Sequence, residues 1–143
     1  MNDAHLRNRI YGAFAETGRP PSSVQLADWC GGRLDAQQSL RRLHDAHAIV
    51  VDDSGEIRMA LPFSAVDTGH TVVAEDRSWF ANCAWDTLAI PAALDVDATI
   101  EATYLDTGEP VELAVVDGEL SHSDGFIHFQ ICAQRWWDDI IET

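Results

Sequence analysis

The sequence predicts an α+β protein in two parts. Residues 1–60 form an N-terminal winged-helix-like module of three helices and a β-hairpin, and residues 61–143 a small, mainly antiparallel sheet with one helix. Three observations carry that expectation. Apolar residues recur at helical spacing three times before residue 48, and Asp53-Ser54-Gly55 then separates two short apolar runs. Beyond residue 60, runs rich in β-branched residues alternate with turn signals. Between them, Asn82-Cys83-Ala84-Trp85-Asp86-Thr87-Leu88-Ala89-Ile90 reads as an apolar helix with a thiol and a carboxyl at its start.

The first helix is expected over His5 to Glu16, with Leu6, Ile10, Tyr11 and Phe14 at helical spacing and Thr17-Gly18-Arg19-Pro20-Pro21 ending it. Ser22 or Ser23 caps a second, short helix containing Val24, Leu26, Ala27 and Trp29, closed by Gly31-Gly32. Asp35 is the expected cap of a third helix running to about His47, with Leu40 and Leu43 inward. Ile49-Val50-Val51 and Glu56-Ile57-Arg58-Met59 then flank a hairpin turn. Leu61-Pro62-Phe63 begins a connection, and Thr71 to Ala74 reads as a strand. Asp76-Arg77-Ser78 is its turn and Trp79 the entry to the helix containing Cys83. That helix should end near Ile90, because Pro91 disfavours helix in the residue before it. Thr99 to Tyr104, Val111 to Val116 and Phe126 to Ile131 are the remaining expected strands.

Charge narrows the partners. Residues 1–60 hold seven Arg against eight acids, a net of −1, and residues 61–143 hold two Arg against sixteen acids, a net of −14. There is no lysine. So acidic a C-terminal half should repel nucleic acid and anionic lipid. The excess of Asp fits a high-salt or high-GC source as readily as a function. No apolar stretch is long enough to span a bilayer and no signal-peptide pattern opens the chain, so the expected location is cytoplasmic. Cys30, Cys83 and Cys132 have no framework spacing and are expected as free thiols or ligands.

Cys83 and Asp86 are three residues apart, which on a helix places both on one face. A thiolate is a soft nucleophile and metal ligand, and a carboxyl beside it can hold or deliver a proton. The competing reading makes Cys83 a small buried apolar residue and Asp86 a first-turn acid favoured by the helix dipole.

The run Ser78-Trp79-Phe80-Ala81-Asn82-Cys83-Ala84-Trp85-Asp86-Thr87-Leu88, followed by Ile90-Pro91-Ala92-Ala93-Leu94, resembles the active-site segment of organomercurial (alkylmercury) lyases. The likeness continues through Thr99 to Thr103 and the turn and strand Thr107-Gly108-Glu109-Pro110-Val111-Glu112-Leu113. Taken broadly it covers residues 5–143, and residues 78–113 are its specific part. The resemblance implies cleavage of a carbon–mercury bond, with Cys83 as thiolate and mercury ligand and Asp86 as proton carrier. It implies Trp79, Phe80 and Trp85 as an apolar wall for the organic group, each of them also readable as core. No cofactor is required; mercury is substrate or product ion, and a small external thiol is expected. The family uses a second cysteine, which strand matching places just beyond Thr143. Cys132 is the candidate substitute, read against a purely structural thiol.

Two alternatives accompany this reading: a non-catalytic soft-metal binding or sensing protein on the same fold, and a regulator using the winged helix. Arg33, Arg41 and Arg42 are the basic residues the regulator would need, although Asp35 and Asp45 share their helix. His44 and His47, at i and i+3, suit a solvated helix face better than zinc. His122-Ser123-Asp124 lacks a nucleophile elbow, and no phosphate loop or dinucleotide fingerprint is present. Asp138-Asp139 after Trp136-Trp137 reads as a surface helix turn with its tryptophans inward.

Overall fold

The structure, a computed structural model, describes residues 1–122 and 124–141. Ser123, in the rejected His122-Ser123-Asp124 arrangement, lies outside the described residues. So do Glu142 and Thr143, the end of the family-like tail.

Helix α1 spans Asp3–Thr17, opened by the Asn2 side chain accepting from the His5 N–H at 2.8 Å. It buries Leu6, Ile10 and Phe14. Gly18 closes it in the left-handed conformation, φ 72°. A Cβ at position 18 would also collide with the Ser78 carbonyl oxygen of a neighbouring strand. Gly18→Ala is therefore expected to destabilise the fold by about 2 kcal/mol or more, read as a lowered chemical-denaturation midpoint.

Helix α2 spans Ser23–Cys30 behind a capping box formed by Ser22 and Gln25. Helix α3 spans Arg33–Asp45, and here the expected cap is corrected: Gly32 precedes the helix without a side-chain cap, and Asp35 lies in its first turn. Gly31, at φ 87°, turns the chain sharply enough for α3 to start three residues sooner. Arg42 reaches from α3 to Asp3 in a two-pronged ion pair at 2.8 Å.

Among the described residues all strands join one eight-stranded antiparallel sheet in the order β1-β2-β3-β5-β4-β6-β7-β8. The first three are β1 (Val50–Val51), β2 (Ile57–Ala60) and β3 (Phe63–Ser64). The expected connection after Leu61 is thus itself a strand, and Met59 pairs with Ser64 across the residue 60 boundary. β4 (Thr71–Ala74) and β5 (Arg77–Ala81) form a hairpin with Val72 opposite Trp79. Arg77 and Ser78 are therefore strand rather than turn, and Trp79 is not a helix entry. Trp79 and Ala81 are buried while Phe80 between them is half-buried, the period-two pattern of a strand with one face on the core.

Helix α4 spans Ala84–Leu94 and runs through Pro91 instead of stopping before it. Pro91 forfeits one helical hydrogen bond. Burial of Ile90 and Pro91 offsets that loss, and Asp95 then ends the helix with its N–H on the Pro91 carbonyl. β6 (Ala98–Thr103), β7 (Pro110–Val116) and β8 (Glu119–Leu120) complete the sheet. Residues 126–131, expected as a strand, are irregular, and a 3-10 helix follows at Ala133–Asp138. Phe129 packs with Trp85 and Trp136 instead of entering a ladder. The core unites α1 and α4 with one face of the sheet through Phe14, Val72, Trp79, Ala81, Ile90 and Ile100.

Candidate active site

Strand β5 delivers the chain to the core at Ala81, and α4 begins three residues later. Cys83 is the N-cap of α4, with extended backbone angles φ −151° and ψ 177°. This position usually holds an oxygen-bearing side chain that accepts the first helical N–H groups. Here a sulfur stands in that place, facing the Trp85 and Asp86 N–H groups without closing a capping hydrogen bond of ordinary geometry. Asp86 is the third helical residue, and its carboxyl turns back to Cys83 and to Asn82, whose Nδ2 donates to Asp86 Oδ2 at 3.2 Å. The thiol and carboxyl therefore meet across a helix cap, not on a helix face as the i, i+3 spacing suggests.

Burial dominates the electrostatics. It pushes the Cys83 thiol up, the Asp86 N–H opposes that shift, the Asp86 charge adds to it, and the Trp85 N–H opposes it again. Burial also pushes the Asp86 carboxyl up, against the hydrogen bonds from Asn82 and Cys83. No cationic side chain among the described residues contributes to either shift. The pair therefore favours forms with a proton on it, and a thiol that must shed its proton faces a carboxyl able to hold one.

The other expected site residues scatter. Trp79 is core and not wall: it is 1% exposed and its indole N–H donates to the Phe14 carbonyl at 2.8 Å. Phe80 lies on the opposite face of β5 and borders a 310 Å³ surface cavity with Glu16, Arg19, Asp76 and Arg77, away from Cys83. Trp85 is exposed beside the pair and meets Phe129 edge-on at 6.4 Å. Cys132 is exposed at the start of the 3-10 helix. Among the described residues no three His, Cys, Asp or Glu side chains converge, so Cys132 does not complete a set with Cys83 and Asp86. Its residue lies in the irregular tail, whose position is set by aromatic packing and not by a strand.

Cys30 ends α2, half-buried against the core. His44 accepts from the Val51 N–H at 3.3 Å, and His47 stacks on Trp137 at 3.9 Å. Sequence reasoning missed Asn82 and His70. Asn82 binds Asp86 as described, and His70, held down from its usual value by burial, accepts the Ala81 N–H through its carbonyl. Asn82 stands four residues before Asp86, but that spacing marks a contact only on a helix, and Asn82 lies outside one.

Comparison with known proteins places the chain among relatives. Residues 63–143 match the profile of the alkylmercury lyase (MerB) family. Alkylmercury lyases from Bacillus cereus and Clostridium butyricum are each 30% identical over 73 residues, covering 51% of this chain and 33% of theirs. The chain thus spans about a third of the length of the curated relatives it matches. The crystal structure of the mercury-bound form of MerB2 superposes with a TM-score of 0.67 at 26% identity, over 85% of this chain and 59% of that one. The profile match covers more than half of the sequence, with Cys83 and Asp86 inside it, and the chain belongs to the alkylmercury lyase family.

Proposed function

We propose that the protein cleaves carbon–mercury bonds by protonolysis, with Cys83 as the mercury-binding thiolate and Asp86 as the proton carrier. The contact between the two at the start of α4 carries the reading. A small thiol R′SH presents the substrate as R–Hg–SR′. The Asp86 carboxylate takes the Cys83 proton while the sulfur lone pair bonds mercury. Asp86 then gives that proton to carbon. The carbon–mercury electron pair becomes the new C–H bond, and R–H leaves. Mercury remains Hg(II), held by Cys83 and R′S⁻. A second R′SH returns a proton to Cys83 and removes Hg(SR′)₂, so no oxidant or reductant is consumed.

Phenylmercury with excess small thiol is expected to give benzene and inorganic mercury. The working form of the pair carries one proton. Benzene release should therefore rise through an acid limb above the ordinary carboxylate range and fall through an alkaline limb above the ordinary thiol range. Both limbs are properties of the coupled pair. Asp86→Asn should lose the acid limb; a limb at the ordinary carboxylate position in the parent protein would contradict the assignment.

One observation favours a second reading, soft-metal binding without cleavage. Among the described residues no three His, Cys, Asp or Glu side chains converge on Cys83, so a bound mercury ion would draw on an outside ligand. A stoichiometric phenylmercury adduct with no benzene released would select it.

A further inference from the structure

Asn82 stands between β5 and α4 and belongs to neither. Its Nδ2 donates to two acceptors, the Phe63 carbonyl at 3.2 Å and Asp86 Oδ2 at 3.2 Å. Two acceptors on one amide nitrogen settle the orientation of the group, since turning it over would set Oδ1 against the Phe63 carbonyl. In this orientation Asn82 Oδ1 is buried without a hydrogen-bond partner among the described residues. Such an orphaned acceptor is destabilising, a cost that an apolar residue of similar size would avoid. A cost of this kind calls for a compensating role.

We infer that Asn82 is a positioning residue: it holds Asp86 Oδ2 as a hydrogen-bond acceptor, so that Oδ1 is the atom that receives and delivers the proton. In a neutral carboxyl, the oxygen that accepts an N–H bond is the carbonyl-like one, and the proton sits on the other. The second bond, to Phe63, anchors the amide to β3, which pairs with β5 at Phe63 and Ala81. The sheet thereby sets where the carboxyl points. This role rests on the lyase reading above for its chemistry, and on the two hydrogen bonds for its geometry.

Asn82→Leu removes both the donor and the orphaned acceptor. It is expected to lower kcat for benzene release by about 10- to 100-fold, with KM and the mercury adduct at Cys83 unchanged. Asn82→Gln, which keeps an amide donor, should recover part of that loss. In a crystal structure of Asn82→Leu the Asp86 carboxylate should have rotated from its place. An unchanged kcat with the carboxylate in place would overturn the inference. If the parent protein forms the adduct and releases no benzene, the lyase reading falls alone. Carboxylate displacement in Asn82→Leu then supports the positioning role, and its absence overturns it. Should the leucine protein not fold, Asn82→Ala is read by the same measurements.

Discussion

Cys83→Ser is expected to reduce hydrocarbon release by about 10³-fold or more and, in a Cys132→Ser background that removes the exposed competing thiol, to lose the mercury held at position 83. Serine keeps the N-cap geometry and can accept the helix N–H groups better than sulfur does, so the fold should be retained or slightly stabilised. What it lacks is a soft ligand for mercury. Asp86→Asn separates the two roles. It should slow benzene release by about 10²- to 10⁴-fold while the adduct at Cys83 still forms, measured by native mass spectrometry and gas chromatography on the same samples.

The Asp86→Asn protein should also respond differently to pH. Burial raises the Asp86 carboxyl, so the folded protein binds that proton more tightly than the unfolded chain. Stability tied to this group is complete below the ordinary carboxylate range and is lost as pH rises through the raised value. Near neutrality the asparagine variant should therefore unfold at a higher temperature than the parent, and the gap should close in acid. A variant that is less stable at neutral pH would argue that the ionised carboxylate is held favourably.

Trp79→Ala is expected to destabilise the protein by about 3–5 kcal/mol, the range for a fully buried large aromatic, measured by denaturant unfolding. The indole joins β5 to α1, and its loss leaves a cavity between the helix and the sheet. Trp79→Phe should cost less, about 1–3 kcal/mol, because the Phe14 carbonyl still accepts the Gly18 N–H at 2.8 Å. KM for phenylmercury should be unchanged in the phenylalanine variant. A raised KM without lost stability would restore Trp79 to the substrate wall.

Trp79 also shows why part of the site was hidden in the sequence. The run Ser78-Trp79-Phe80-Ala81 precedes an apolar helix without a strong breaker, so it reads as the helix entry. Pairing with Thr71–Ala74 makes it a strand and sends Trp79 and Phe80 to opposite faces. Neither alternation nor cross-strand partners can be seen in so short a segment. Pro91 misled in the opposite sense: its local preference ends a helix, and burial against the sheet overrides it. Phe126 to Ile131 has the composition of a strand, but a strand needs a free neighbour to pair with, and the aromatic contacts of Phe129 replace one.

By itself the sequence determined the α+β class, the helices α1 to α3 within a few residues, the hairpin turn, the strands β4, β6 and β7, and the pairing of Cys83 with Asp86. These follow from short-range causes: apolar spacing, caps, turn residues and a side-chain separation of three. Only the tertiary structure decided that Cys83 caps α4, that Trp79 is core, that Cys132 opens a 3-10 helix instead of ending a strand and that Asn82 grips the carboxyl. Each of those depends on which strand lies beside which, and long-range pairing is set by the summed burial of the whole sheet.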